Sequence, residues 1–254
     1  MLNLVIYRIN LLRYVAVGIF YYYIYGIKQK YNMADNYLER KQQELAERVP
    51  RKKSILRVNK SLNDLLLKNR SHRAYDPTVR VTEEQLMEII SVNDKIPSAR
   101  NQQVLRFRLV YGEEARVISE DLKLGSALPE LKLPAPGTAP TAYIIICSDY
   151  PNPTDRFLNM DIGISSQSML LKAVEIGLNG IMIGAFNKEK LRNSLMLDSE
   201  PLLMLGIGLG IEHIQILHVC ADSTKNYYRK DGIHFVPKIT VKELIKNSKR
   251  KLFE

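Results

Sequence analysis

The chain has no tryptophan, and its 254 residues include only two cysteines, Cys147 and Cys220. Neither has a nearby partner, so a disulfide framework is excluded and a reducing, cytoplasmic setting fits best. Four histidines (His72, His213, His218 and His234) are scattered without the spacing of a metal site, and no metal is expected. No G-x-G-x-x-G turn is present to hold a pyrophosphate. Long apolar runs are also missing. The uncharged run near the amino end, Tyr14–Ile27, has 14 residues, short of the ~20 a spanning helix needs.

The formal charge of +10 looks at first like a nucleic-acid signal. Four of the 37 basic residues (Arg8, Arg13, Lys28 and Lys30) lie in the first 33 positions, which hold no acidic residue. The remainder has 33 basic against 27 acidic residues. The basic runs at Arg48–Lys60 and Lys249–Lys251 lack interleaved aromatics, so they read as solvated faces and no nucleic-acid partner is expected. A modest attraction for anionic cofactors is what this charge supports.

What is present is a soluble globular composition, 46% hydrophobic and 25% charged. Composition changes abruptly at Met33, dividing an apolar and basic extension, 1–32, from a body, 33–254. Three readings of the extension stand. It resembles the apolar region of a signal peptide, but IKQKYN offers no small-residue cleavage site. It is a membrane anchor, the one case in which a membrane would be a partner. Or Met33-Ala34-Asp35 is the natural start, which the change in composition favours.

Along the body, Asn36–Val49 is charged and helical. Ser61 caps a helix through Lys68 with Leu62, Leu65 and Leu66 on its buried face. Thr82 and Gln85 form a capping box for a helix through Ser91. Arg106–Tyr111 alternates as a strand, and Glu113–Leu124 reads as a helix. Leu128–Pro140, with four prolines, reads as a loop over the surface. Thr141–Ser148 is a fully buried strand. A short helix from Asn187, the strand LLMLGIGLG, a strand or extension at Ile214–Cys220, an extended His234–Pro237 and a last helix at Thr240–Asn247 complete an α+β pattern.

The centre of the chain is DIGISSQSMLLKAVEIGLNGIMIG, Asp161–Gly184. Ser165, Ser168, Lys172 and Glu175 line one side of a helix. Ile162, Met169, Ala173 and Ile176 line the other, widened by Leu170 and Val174. Asp161 is placed to accept the amides of a first turn, and Gly177 to end the helix. By itself this is a core helix feeding a buried strand. Two more stretches carry chemistry. Asn69-Arg70-Ser71-His72-Arg73-Ala74-Tyr75 offers guanidinium forks and a hydroxyl of the kind that hold a phosphate. Pro97-Ser98-Ala99-Arg100-Asn101-Gln102-Gln103 is a polar loop.

In this order these stretches resemble the nitroreductase family of flavin-dependent enzymes, from about Ser61 to Leu244. The match lies in the D-x-G helix with its second-turn glutamine leading into G-L-x-G-x-x-I-G (Asp161, Gly163, Gln167, Gly177, Leu178, Gly180, Ile183 and Gly184). It extends to the Arg70-Ser71-x-Arg73 segment and to P-S-x-x-N-x-Q. The resemblance implies an α+β fold, a mixed sheet flanked by helices, in an intertwined homodimer with two FMN sites. It implies that Arg70 and Ser71 meet the phosphate and ribityl chain, and that Arg73 reaches the pyrimidine edge. Ile183 and Gly184 would run past the ring, and Pro97, Ser98, Asn101 and Gln103 would come from the other subunit. Lys238 would reach the phosphate.

The implied reaction is ping-pong. NADH or NADPH gives a hydride to flavin N5 and leaves, and a nitroaromatic or quinone takes the electrons. No side chain is implied as general acid or base, because the chemistry lies on the flavin. The chain departs from the family at Asn69, where relatives carry arginine, and at Val104-Leu105, where they carry Pro-Trp. It departs again at Ile239, where a basic residue follows Lys238 in relatives; Arg229 is a candidate substitute. Two other functions stay open: a different FMN reaction on this fold, such as dehalogenation or dehydrogenation of a specific metabolite, and a binding protein without flavin.

Overall fold

The seven consecutive buried residues Ala142–Ser148 fix the layering of the molecule. The computed structural model describes residues 60–245, except 129, 151, 153 and 154. The helix expected over Asn36–Val49 and the extension 1–32 lie outside the described residues. In chain order the described helices are α1 (Leu62–Lys68), α2 (Glu83–Ile90), α3 (Gly112–Ser119), α4 (Arg156–Glu175), α5 (Lys188–Ser194) and α6 (Val241–Leu244). The strands are β1 (Leu105–Tyr111), β2 (Ala142–Ser148), β3 (Asn179–Ile183), β4 (Pro201–Gly208), β5 (His213–Val219), β6 (Tyr228–Lys230) and β7 (Ile233–Ile239).

Four strands form one sheet in the order β1-β2-β4-β3, each neighbouring pair antiparallel. Parallel pairing enters at an isolated bridge, Ser71 with Gly180 on the edge strand β3. β2 explains why its sequence does not alternate. Ala142, Ile144 and Ile146 pack with Leu86 and Ile89 of α2 and with Met169, Leu170 and Ala173 of α4. Tyr143, Ile145 and Cys147 face a second core with Ala115 of α3 and Leu191 of α5. A sheet covered on both faces has no polar side to show. Among the described residues no helix is long and apolar enough to cross a membrane.

The chain divides by contact density into a unit that includes residues 60–214 and another that includes 215–245. In the second, the strand order is β5-β7-β6, with Tyr228 opposite Phe235 and Lys230 opposite Ile233. Ile214–Cys220 therefore belongs to a new strand.

Several local expectations need correcting. Helix α4 begins at Arg156, capped by Asp155, whose carboxylate accepts Phe157 N at 2.8 Å. Asp161 is mid-helix and 6% exposed, so it caps nothing in α4. The apolar residues of its first turns, Phe157, Leu158 and Met160, are unevenly buried and mark no clear stripe. Ser165, expected on the polar side, is buried, its hydroxyl donating to Asn93 Oδ1 at 2.6 Å. The helix stops where expected, with Gly177 at φ 88°. Helix α1 has the predicted cap at Ser61, in a capping box with Asp64, but no buried residue, and Leu62 and Leu66 are exposed. Helix α3 ends at Ser119, short of Leu124, which instead bridges Leu133. That bridge, with buried Leu128 and Leu133, pins the proline-rich loop to the body. Helix α6 covers four residues, with Ile245 already extended.

Candidate functional site

The Asn69–Tyr75 segment leaves α1 and closes the open edge of β3. His72 N donates to Gly180 O at 3.3 Å, and beyond it Tyr75 pairs with Gly210. Glu212 fixes the middle of the segment. Its side chain is 4% exposed, and its carboxylate accepts Arg73 N and, at 3.1 Å, Ala74 N. Burying a carboxylate is costly unless such donors surround it. Asn179 Oδ1 accepts Gly210 N at 3.1 Å and so ties the start of β3 to the stretch between β4 and β5 that carries Glu212. The buried Tyr75 hydroxyl donates back to His72 O at 2.9 Å.

The close approach of this segment depends on glycine. A Cβ on Gly210 would lie 2.5 Å from His72 Cγ and 2.6 Å from Cε1. A Cβ on Gly208 would lie 2.8 Å from Tyr75 Cδ1. Burial, then the charges of Arg73 and Arg70, lower the His72 imidazole to about 4, so it is neutral at physiological pH. Its Nδ1 is buried without a hydrogen-bond partner, 3.9 Å from Glu212 Oε2.

Within this frame Arg70, Ser71 and Arg73 are neighbours with different surroundings. Ser71 is exposed beside the sheet edge. Arg73 is 8% exposed and folds inward, its Nη1 donating to Ser71 O at 3.0 Å. Arg70 is half-buried, its Nη2 donating to Leu66 O at 2.8 Å, while its Nε is buried with no partner. Arg70 and His72 line a hollow of ≈360 Å³ that also includes Lys60, Lys68, Asn179 and Glu212. This hollow fits a phosphate: cations surround it, and a buried guanidinium N–H there lacks an acceptor.

Ile183 and Gly184 lie at the other end of β3, where Ile183 is buried and Gly184 exposed. A Cβ on Gly184 would meet only Leu203 Cδ1, at 4.0 Å. The chain's own packing does not require glycine there, and the open side admits a flat group. Gly163, on the exposed face of α4, likewise has nothing within 4 Å of a Cβ.

The Pro97–Gln103 loop is held to α4 by Asp161, whose buried carboxylate accepts Ala99 N at 2.8 Å. Arg100, Asn101 and Gln103 all have left-handed backbones, with φ of 53°, 54° and 49°. Gln103 N donates to Ser98 Oγ at 3.3 Å, and Gln103 Nε2 to Asn101 Oδ1 at 3.2 Å. Pro97, Asn101 and Gln103 are exposed and Ser98 is half-buried. Beneath the loop is a hollow of ≈180 Å³ bounded by Val104, Leu105, Phe107, Asp161 and Ser165. Helix α4 joins the two segments, because Gln167 Oε1 accepts Asn69 Nδ2 at 3.4 Å, six residues beyond Asp161.

The structure therefore brings Arg70, Ser71 and Arg73 together at one end of β3, with Ile183 and Gly184 at the other. Pro97, Ser98, Asn101 and Gln103 form a separate, outward-facing group. Lys238 is exposed on β7, and Arg229 is half-buried on β6, both in the unit of residues 215–245. Sequence reasoning missed Glu212, Asn179, Lys60 and Lys68. Glu212 follows a glycine-punctuated strand, but only the fold shows which amides it meets.

The sequence profile described as the nitroreductase family matches residues 66–210. A Methanocaldococcus jannaschii protein with the provisional name nitroreductase is 29% identical over 183 residues, 59% of this chain and 92% of its own. A Staphylococcus epidermidis structure described provisionally as an NAD(P)H:FMN oxidoreductase superposes with TM-score 0.50 at 21% identity, covering 63% of this chain and 91% of that one. A structure from Exiguobacterium sibiricum, described provisionally as a nitroreductase in complex with FMN, superposes with TM-score 0.50 at 17% identity, covering 63% and 92%.

Proposed function

The chain belongs to the nitroreductase family, and from that premise we propose that it is an FMN-dependent oxidoreductase. In this reading it takes a hydride from NAD(P)H and passes the electrons to nitroaromatic or quinone-type acceptors in a ping-pong sequence. FMN, when bound, supplies the redox chemistry, and the protein supplies position and charge. The observation that carries the proposal is the rigid Asn69–Tyr75 segment, which presents the unpartnered Nε of Arg70 at a cationic hollow. Arg70 and Ser71 hold the phosphate end, Arg73 sets the charge nearer the ring, and Gly184 leaves room for the ring itself. The name of the Staphylococcus epidermidis relative and the FMN in the Exiguobacterium sibiricum complex support the choice of donor and cofactor.

The working form is a homodimer in which Pro97–Gln103 of one copy completes the site of the other, with Lys238 as a further phosphate contact. The loop turns its polar side chains outward, and α4 exposes Met160, Gly163, Ile164 and Gln167 at helical spacing. An interior helical glycine costs about 1 kcal/mol relative to alanine, so Gly163 is accounted for by close approach of a partner. Residues 33–254 act as the flavin domain, in a cytoplasmic setting consistent with two free thiols.

The test is the visible spectrum of the purified chain, with identification of the flavin released on denaturation. FMN release and parallel-line kinetics for NAD(P)H against a nitroaromatic acceptor are expected. A colourless protein that takes up no FMN would instead favour the flavin-free binding protein. Sedimentation of residues 33–254 should show a dimer, and a monomer with full flavin content would refute the shared site.

A further inference from the structure

The hollow beside Arg70 holds more positive charge than the phosphate-binding pattern of the sequence supplies. Lys60, just before the α1 cap, and Lys68, the last residue of α1, both line it with Arg70. None of these three cations forms an ion pair among the described residues. Lys60 Nζ donates to Val174 O and lies 3.5 Å from Glu175 O, at the carboxyl end of α4. That end of a 20-residue helix carries partial negative charge, which would repel an anion in the hollow. Lys60 masks it. Glu212 also lines the hollow, but its carboxylate is engaged by the amides of Arg73 and Ala74.

We infer that Lys60 and Lys68 form, with Arg70, a three-cation phosphate cradle that supplies the charge Asn69 does not, and that they set this chain's preference for FMN over unphosphorylated flavin. This rests on the FMN reading above. Partial burial of its cations, with like charge added at Lys60, is the physical signature of the cradle. Burial of its ammonium, then the nearby Lys68 charge, lowers the Lys60 pKa, while Glu175 raises it. Burial alone lowers that of Arg70. A phosphate dianion would offset the cost at both Lys60 and Arg70 and give Arg70 Nε its missing acceptor. Ser71 adds a neutral donor beside them.

The test is fluorescence titration of the full chain, stripped of flavin, with FMN and separately with riboflavin. Lys68→Ala and Lys60→Met should each weaken FMN about tenfold, the scale of one charge-assisted contact, and leave riboflavin affinity unchanged. The gap should narrow as ionic strength rises. Because Lys60→Met also uncaps α4, Lys68→Ala is the cleaner variant, and its urea midpoint should match the wild type. If Arg70→Ala weakens FMN selectively while both lysine variants bind it normally, the cradle is refuted and the FMN reading survives. Equal weakening of FMN and riboflavin by the lysine variants would also overturn the cradle, since it would mean a structural role. A wild-type chain that binds neither flavin would overturn both.

Discussion

The segments Asn69–Tyr75 and Pro97–Gln103 are built on opposite plans. Asn69–Tyr75 is embedded: its backbone pairs with Gly180 and Gly210, Glu212 holds its amides, and His72 to Tyr75 are buried. Pro97–Gln103 stands outward, anchored by Asp161 and by Arg106, whose Nη1 donates to Gln103 O at 2.9 Å, and is otherwise folded on itself through left-handed turns. A segment that must bring charged groups to a fixed place needs rigid support on its own chain. A loop that a second copy would complete, as proposed, needs few anchors and a free face. Changes in the first segment should therefore register as stability, and changes in the second as activity and assembly.

The largest expected effect tests the embedding of His72. Above pH 6.5 its imidazole is neutral in both folded and unfolded chains, so it contributes no pH dependence. Between 6.5 and about 4 the unfolded chain takes up a proton that the folded one refuses. Stability should fall across that window by roughly 3 kcal/mol, at 1.4 kcal/mol for each unit of the shift. Urea midpoints at pH 7, 6 and 5 should show this limb in the wild type and a flatter one in His72→Gln. Parallel losses would mean that His72 is not buried as a neutral ring.

Gly210→Ala comes next. Its Cβ would press on the His72 ring, which cannot swing aside because Arg73 and Ala74 are tied to Glu212. A cost of about 2 kcal/mol is expected, the middle of the range for overpacking. Flavin content should fall with it. An alanine variant of full stability would show that the segment yields, and that the contrast with the outer loop is one of degree.

These groups also mark what could be read in advance. The buried strand at Ala142–Ser148 and the stop at Gly177 were legible because residue type and spacing carry them, whereas the Arg70, Ser71 and Arg73 segment stood out through its resemblance to a family motif. Glu212 and Asn179 were not, because each acts on amides distant in sequence. The start of α4 was misplaced for a related reason. Asp155 is an ordinary capping residue, but of the apolar residues just after it only Leu158 is buried and Met160 is exposed, so they mark no stripe. The buried side expected for α1 exists in sequence, yet Leu62 and Leu66 find no cover within the described residues. A pattern of apolar residues predicts burial without saying which chain supplies it.

Asp161→Asn is the third comparison, on the outward loop. Asparagine keeps an acceptor for Ala99 N and removes the charge that strengthens the bond, so folding should lose only about 1 kcal/mol. In the proposed homodimer the loop would be less firmly placed at the partner's site. A several-fold fall in kcat/KM with nearly unchanged urea midpoint is expected. If stability falls as far as in Gly210→Ala, the loop is a structural element of its own subunit.

The smallest effect is expected for Arg100→Gly, and its smallness is the point. Arg100 has a left-handed backbone at φ 53°, which costs a non-glycine residue about 1 kcal/mol. Glycine removes that strain but raises the entropy of the unfolded chain by a similar amount. The substitution also deletes a guanidinium that lies 5.5 Å from the Phe157 ring centroid, an exposed cation–π contact worth about 0.5–1 kcal/mol. Arg156 stays over the same ring at 4.8 Å, so Phe157 keeps a cationic neighbour. The net change in folding free energy should be under about 1 kcal/mol, read as a urea midpoint close to the wild type. A loss of 2 kcal/mol or more would show that Arg100 locks the loop against α4, and the outward segment would then be as deeply built into its own chain as Asn69–Tyr75.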